Sequence, residues 1–136
     1  MNTIEIEKLI PHRKPFIMVD KILHSSEEKS TTSFFISNEN ILSNNGHFSE
    51  AGIIEHIAQS VAITRGYSQL NSGVNPKIGY IGSIKKLKIH FLPKTDTEVT
   101  TEIRILNQVL NFTSVYGKTF QNGTIIAECE LTIATQ

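Results

Sequence analysis

The chain has 136 residues, enough for a real hydrophobic core and most economically read as one domain spanning residues 1–136. An apolar fraction of 39% is that of a globular protein, and thirteen basic against thirteen acidic residues leave no net field to attract nucleic acid or a membrane surface. One cysteine, Cys129, excludes an internal disulfide; with no signal-like start and no spanning apolar run, a cytoplasmic location is expected.

After a short element around Ile4–Leu9, the segment KPFIMVDKIL predicts a strand from about Phe16, and residues 29–37, KSTTSFFIS, a second. A polar Asn/Ser-rich loop follows and ends at Gly46. Residues 52–70 carry the strongest helical pattern. Ile53, Ile54, Ile57, Ala58, Val61 and Ala62 recur at three- and four-residue spacing, with Ile63 on the opposite side. Ser49 and Glu50 stand where an N-cap and a charge favourable to the helix dipole belong.

Beyond Ile78 the pattern is that of strands. Lys85, Leu87, Ile89 and Phe91 alternate with Lys86, Lys88 and His90, which places the second set on one face and Lys85 on the other. Pro93–Asp96 reads as a turn, and Asn122-Gly123 as a two-residue hairpin. Cys129 falls in an alternating run as a small buried side chain. A single helix that is apolar over much of its circumference needs cover on several sides. The simplest answer is an α+β fold in which a curved antiparallel sheet wraps round it, with strand edges or the outer face left for a dimer.

Two residues stand out chemically. His47 lies in a loop, and Glu55, eight positions on, sits on the flank of the helix's apolar sector with Gln59 one turn below. Histidine suits a general base near neutral pH, and a carboxylate beside Ile53, Ile54 and Ile57 suits a general acid if desolvation raises its pKa. Backbone N–H groups at the helix start, around Gly52 and Ile53, are candidate donors to a developing oxyanion. Gln59 is expected to bond backbone and orient Glu55. His56 points away and reads as structural; His12 reads as packing the N-terminal segment, with a site role left open. No histidine pair has metal spacing and no Gly-rich loop cradles phosphate, so no metal or nucleotide cofactor is expected.

Several segments, in one order over nearly the whole chain, resemble the hotdog-fold 3-hydroxyacyl-[acyl carrier protein] dehydratases of bacterial fatty acid synthesis. They are Pro11-His12-Arg13-Lys14-Pro15-Phe16 with its run to Asp20, Gly46-His47-Phe48, and Glu55-His56-Ile57-Ala58-Gln59. The basic strand Ile84–Pro93 with Asp96, and the closing Gly123–Leu131, complete the series. The chain departs from the family in lacking a Pro-rich segment between His47 and Glu55. That shortened form is similar to dehydratase-like members of aryl polyene and flexirubin-type pigment pathways.

The resemblance implies a hotdog fold and dehydration of a carrier-protein-linked 3-hydroxyacyl thioester to the trans-2-enoyl thioester. His47 would be the base and Glu55, from the partner subunit, the acid. Gly52, Ile53, Phe48 and Gln59 would bind substrate in a tunnel between protomers. Lys86 and Lys88 would dock the acidic acyl carrier protein or its phosphopantetheine. The implied assembly is a homodimer or an oligomer of dimers, with a second hotdog subunit as an alternative. Two other functions remain open on the residues: a hotdog thioesterase using Glu55, and a non-catalytic acyl-binding subunit that completes a partner's site.

Overall fold

The computed structural model describes residues 6–26, 28–69 and 79–135. A 3-10 turn, Ile6–Lys8, leads into an irregular segment and then β1 (Lys21–Ser25) and β2 (Lys29–Ile36). A small hairpin follows, β3 (Ser43–Asn44) and β4 (His47–Phe48), then the single long helix α1 (Glu50–Ser68). Four strands complete the chain: β5 (Gly79–Ile89), β6 (Thr97–Val109), β7 (Phe112–Gln121) and β8 (Thr124–Thr135). The six long strands form one antiparallel sheet in the order β1-β2-β6-β7-β8-β5, and α1 packs across its inner face. This is the α+β hotdog arrangement expected, one helix in a curved antiparallel sheet.

Local signals account for most boundaries. Ser49 caps α1, its Oγ accepting from the Gly52 N–H at 3.0 Å, so the helix begins at Glu50, two residues earlier than its periodicity suggests. Residue 70, where the helix is expected to end, lies outside the described residues, as do Ile4 and Ile78. Asn122 and Gly123 both take positive φ, 51° and 79°, in the predicted hairpin turn. The same chemistry recurs inside the segment read as a plain loop. Asn45 (φ 53°) and Gly46 (φ 75°) close the β3–β4 hairpin, which the polar composition around them disguises.

Two expectations fail for reasons of packing. The strand predicted from Phe16 starts only at Lys21, because the backbone of Phe16 and Met18 is hydrogen-bonded to side chains of α1, the two carbonyls accepting and the Met18 N–H donating, rather than to a neighbouring strand. The strict alternation of β5 is also broken. A bulge between Lys85 and Lys88 adds one residue against β8, with Lys86 at φ 55°. Lys85 therefore faces Glu130 on the exposed outer side, the same side as Lys86, instead of turning inward.

The helix is buried on two flanks. Ile53, Ile57 and Val61 join Phe34, Phe48, Ile103, Val115 and Leu131 in the main core, and Ile63 joins Leu9, Ile10, Val19 and Ile22 in a second. Between them runs a buried polar stripe. Ser60 and Thr64 each donate to the carbonyl one turn back and accept from Thr32 and Ser30, at 2.7 Å in both pairs. Cys129 is fully buried as expected, and burial pushes its thiol up to about 11. Among the described residues no helix is long and apolar enough to cross a membrane.

Candidate active site

The site is assembled from the irregular N-terminal segment, the β3–β4 hairpin and the first turns of α1. The hairpin presents His47 at its tip-side end. There His47, an exposed residue, has Nδ1 3.1 Å from the Asn45 carbonyl; an N–H must stand on that nitrogen to make the bond, so in the neutral ring the lone pair belongs to Nε2. The hairpin is tied down by the Phe48 N–H to the Pro93 carbonyl (2.8 Å) and the Thr95 N–H to the Gly46 carbonyl (2.9 Å). Around His47 lies an open recess lined by Asn44, Ser49, Glu50, Ala51, Phe91 and Leu92.

Glu55 faces a different neighbourhood. Its Oε2 accepts from Gln59 Nε2 at 2.7 Å and lies 3.8 Å from His12 Nε2. Gln59 is itself held on three sides: the Met18 N–H donates to its Oε1 (2.6 Å), and its Nε2 donates to the Phe16 carbonyl (2.9 Å) as well as to Glu55. Turning that amide over would set donor against donor at Met18 and acceptor against acceptor at Phe16, so its orientation is determined. The expectation that Gln59 bonds backbone and orients Glu55 matches this geometry. Among the described residues no hydrogen bond or ion pair joins His47 to Glu55 of the same chain. The side chain of Glu55 is 36% exposed, so its own chain does not supply the apolar enclosure expected from Ile53, Ile54 and Ile57.

His56, on the adjacent side of α1, is fully buried. Its Nδ1 donates to the Met18 carbonyl (2.6 Å), and its Nε2 lies 2.8 Å from the Thr101 hydroxyl, which meets that of Thr119 at 2.7 Å. Desolvation lowers its pKa to about 4, so it is a neutral structural side chain, as its position in the sequence suggests.

The remaining candidates separate. The N–H groups of Gly52 and Ile53 are not free donors: the first binds Ser49 Oγ and the second the Ser49 carbonyl, at 3.0 Å each, because Ser49 is an effective cap. Among the described residues the unengaged N–H groups of the first turn are those of Glu50 and Ala51, which line the recess beside His47. The missing side chain of Gly52 serves packing, since a Cβ there would run into the Phe48 ring. Phe48 and Ile53 are core residues with at most 1% exposure, and neither presents a surface to substrate in the single chain. Lys86 and Lys88 are exposed, but Lys86 pairs with Glu130 at 3.5 Å and Lys88 stands opposite Glu128, which also meets His90 at 3.6 Å. The face is of mixed charge rather than basic. No group of three or more His, Cys, Asp or Glu among the described residues is placed to hold a metal ion.

The missed contact is that of His12 with Glu55. Only its place in a Pro-His-Arg motif hinted at a role, and the two residues are more than forty positions apart.

Comparison with known proteins places this geometry in context. Residues 4–136 match the family model described as ApeP-like, ApeP dehydratase. A 3-hydroxyacyl-[acyl-carrier-protein] dehydratase FabZ from Clostridium botulinum is 33% identical over 135 residues, covering 93% of this chain and 90% of the relative. The corresponding protein from Vibrio atlanticus is 26% identical over 140 residues, covering 98% and 93%. In fold, the dehydratase heterocomplex ApeI:P from Xenorhabdus doucetiae superposes with a TM-score of 0.90 at 16% identity, over 99% of this chain and 93% of the other.

Proposed function

The chain belongs to the ApeP-like dehydratase family, and from that premise we propose that it dehydrates 3-hydroxyacyl thioesters carried on acyl carrier protein, in a site completed by a second hotdog chain. His47 Nε2 removes the proton on C2, and charge develops on the thioester oxygen. The free N–H groups of Glu50 and Ala51, residues that line the same recess as His47, would donate to such an oxyanion. Glu55 of the partner chain delivers its proton to the C3 hydroxyl, which leaves as water as the C2=C3 bond forms. A positioned acid and base each contribute roughly 10²–10⁴ in rate.

One observation carries this reading. Both side chains are held by hydrogen bonds that leave a single reactive atom unengaged among the described residues, Nε2 of His47 and Oε1 of Glu55. Their separation within one chain, and the partial exposure of Glu55, favour a site that a second chain closes. The edge strand β5 suits that role. Ile81 and Ile84 pair with Ile133 and Leu131 yet remain 37% and 39% exposed. The reaction needs no cofactor on this reading, and it belongs in the cytoplasm where carrier-protein thioesters are made.

The test is mass spectrometry of a 3-hydroxyacyl-carrier-protein substrate with wild type, His47→Ala and Glu55→Gln, alone and with a coexpressed hotdog partner. Enoyl product lost by a hundredfold or more in both variants supports the assignment. Free acid as the product would instead make the chain a thioesterase. Activity only with the partner, untouched by His47→Ala, would reduce this chain to the Glu55 half of a shared site.

A further inference from the structure

We propose that His12 is a positioning residue for the Glu55 carboxylate, a neutral imidazole whose Nε2–H acts with the Gln59 amide to hold Oε2 and keep Oε1 turned toward substrate. This deepens the dehydratase reading and rests on Glu55 taking part in it. The argument begins with the backbone. Segment 9–18 is pressed on α1: a Cβ at Gly66 would run into the Leu9 carbonyl, and Gln59 and His56 bind the main chain at Phe16 and Met18. Arg13 donates to the carbonyls of Ile10 (3.0 Å) and His12 (2.7 Å) and pairs with Glu7 at 3.2 Å, which fixes the turn carrying His12.

On that support the imidazole has one polar outlet. Its Nδ1 is buried and has no partner among the described residues, while Nε2 faces Glu55 Oε2 at 3.8 Å. A buried lone pair is tolerated better than a buried N–H, so the proton belongs on Nε2. Burial lowers the His12 pKa, Glu55 opposes that shift and Arg13 adds to it, so the ring is neutral at neutral pH. At 3.8 Å the contact is longer than a hydrogen bond. It shortens to one when substrate and the second chain displace water from the half-exposed carboxylate.

The test compares steady-state kinetics of the assembled protein carrying His12→Ala, His12→Gln or Glu55→Gln. Misplacing a catalytic group by about 1 Å costs up to 10²-fold, so His12→Ala is expected to lower kcat roughly ten- to a hundredfold with KM within about twofold. His12→Gln, which keeps a donor near the same point, should recover most of that loss. Wild-type kcat in His12→Ala, or no recovery in His12→Gln, overturns the proposal while leaving Glu55 as the acid. Wild-type activity in Glu55→Gln removes the reading beneath it. Long-range proton–nitrogen NMR of the full chain needs no turnover. It should show the Nε2–H tautomer at His12 and a titration midpoint that falls further in Glu55→Gln; the opposite tautomer or an unmoved midpoint would also overturn it.

Discussion

Gln59 donates to Glu55 across one helical turn at 2.7 Å and, through the same amide, holds the backbone at Phe16 and Met18. One side chain thus ties the proposed acid to the segment that carries His12. Structural and functional roles meet at this amide, and its substitution should be felt in both.

Replacing Gln59 with Leu leaves the Met18 N–H and the Phe16 carbonyl without their partners. The Met18 N–H is buried and the Phe16 carbonyl only partly so; a buried unsatisfied group costs about 1–3 kcal/mol, so a loss of about 1–4 kcal/mol is expected. The measurement is the urea midpoint at constant slope. A midpoint unchanged from wild type would show that the amide does not carry the segment.

His56 should make the fold acid-sensitive. Its folded pKa of about 4 lies below the 6.5 of the unfolded chain, so the unfolded state takes up the proton first as pH falls. Stability from this group is fully present above pH 6.5 and is lost progressively toward pH 4, by roughly 3 kcal/mol. Urea unfolding of wild type and His56→Gln across that window checks it: the difference in stability between them should shrink as pH drops. A difference independent of pH would mean that the histidine is not buried neutral.

Gly66 allows a close approach of the N-terminal segment to α1. A methyl there meets the Leu9 carbonyl, a backbone atom that cannot swing away. Gly66→Ala gains at most about 1 kcal/mol in helix propensity and loses about 1–3 kcal/mol or more to the clash. Net destabilisation is expected, with faster amide hydrogen exchange at Leu9 and Ile10. A more stable variant would show that the segment sits farther from the helix.

The lysines of β5 can be tested by the size of the substrate. If Lys86 and Lys88 dock the carrier protein, Lys86→Glu and Lys88→Glu should each raise KM for the carrier-protein thioester by roughly fivefold, the scale of about 1 kcal/mol for an exposed charge pair. The effect should fade at high salt, and kcat/KM for a pantetheine thioester should hold. An equal loss on both substrates would assign these residues to the fold rather than to docking.

Signals confined to a few adjacent residues were readable without coordinates. The helix showed in the spacing of Ile53, Ile57 and Val61, its cap in Ser49, and the last hairpin in Asn122-Gly123, because each depends on local dihedrals and one-face burial. The ordered series from Pro11 to Leu131 carried the family, and with it the expectation of a base at His47 and an acid at Glu55.

What needed the tertiary structure was every contact between groups distant along the chain. His12 meets Glu55, Gln59 clasps Phe16 and Met18, and His56 finds Thr101 only once the N-terminal segment lies on α1 and the sheet closes round it. The bulge at Lys86 reversed the facing of Lys85, since one extra residue inverts a period of two. Ser49 likewise takes up the Gly52 and Ile53 N–H groups expected as donors, leaving those of Glu50 and Ala51 unengaged among the described residues. Residue type and spacing set which elements form, while hydrogen-bond partners follow from how those elements pack. The contacts around Glu55 were therefore decided by packing.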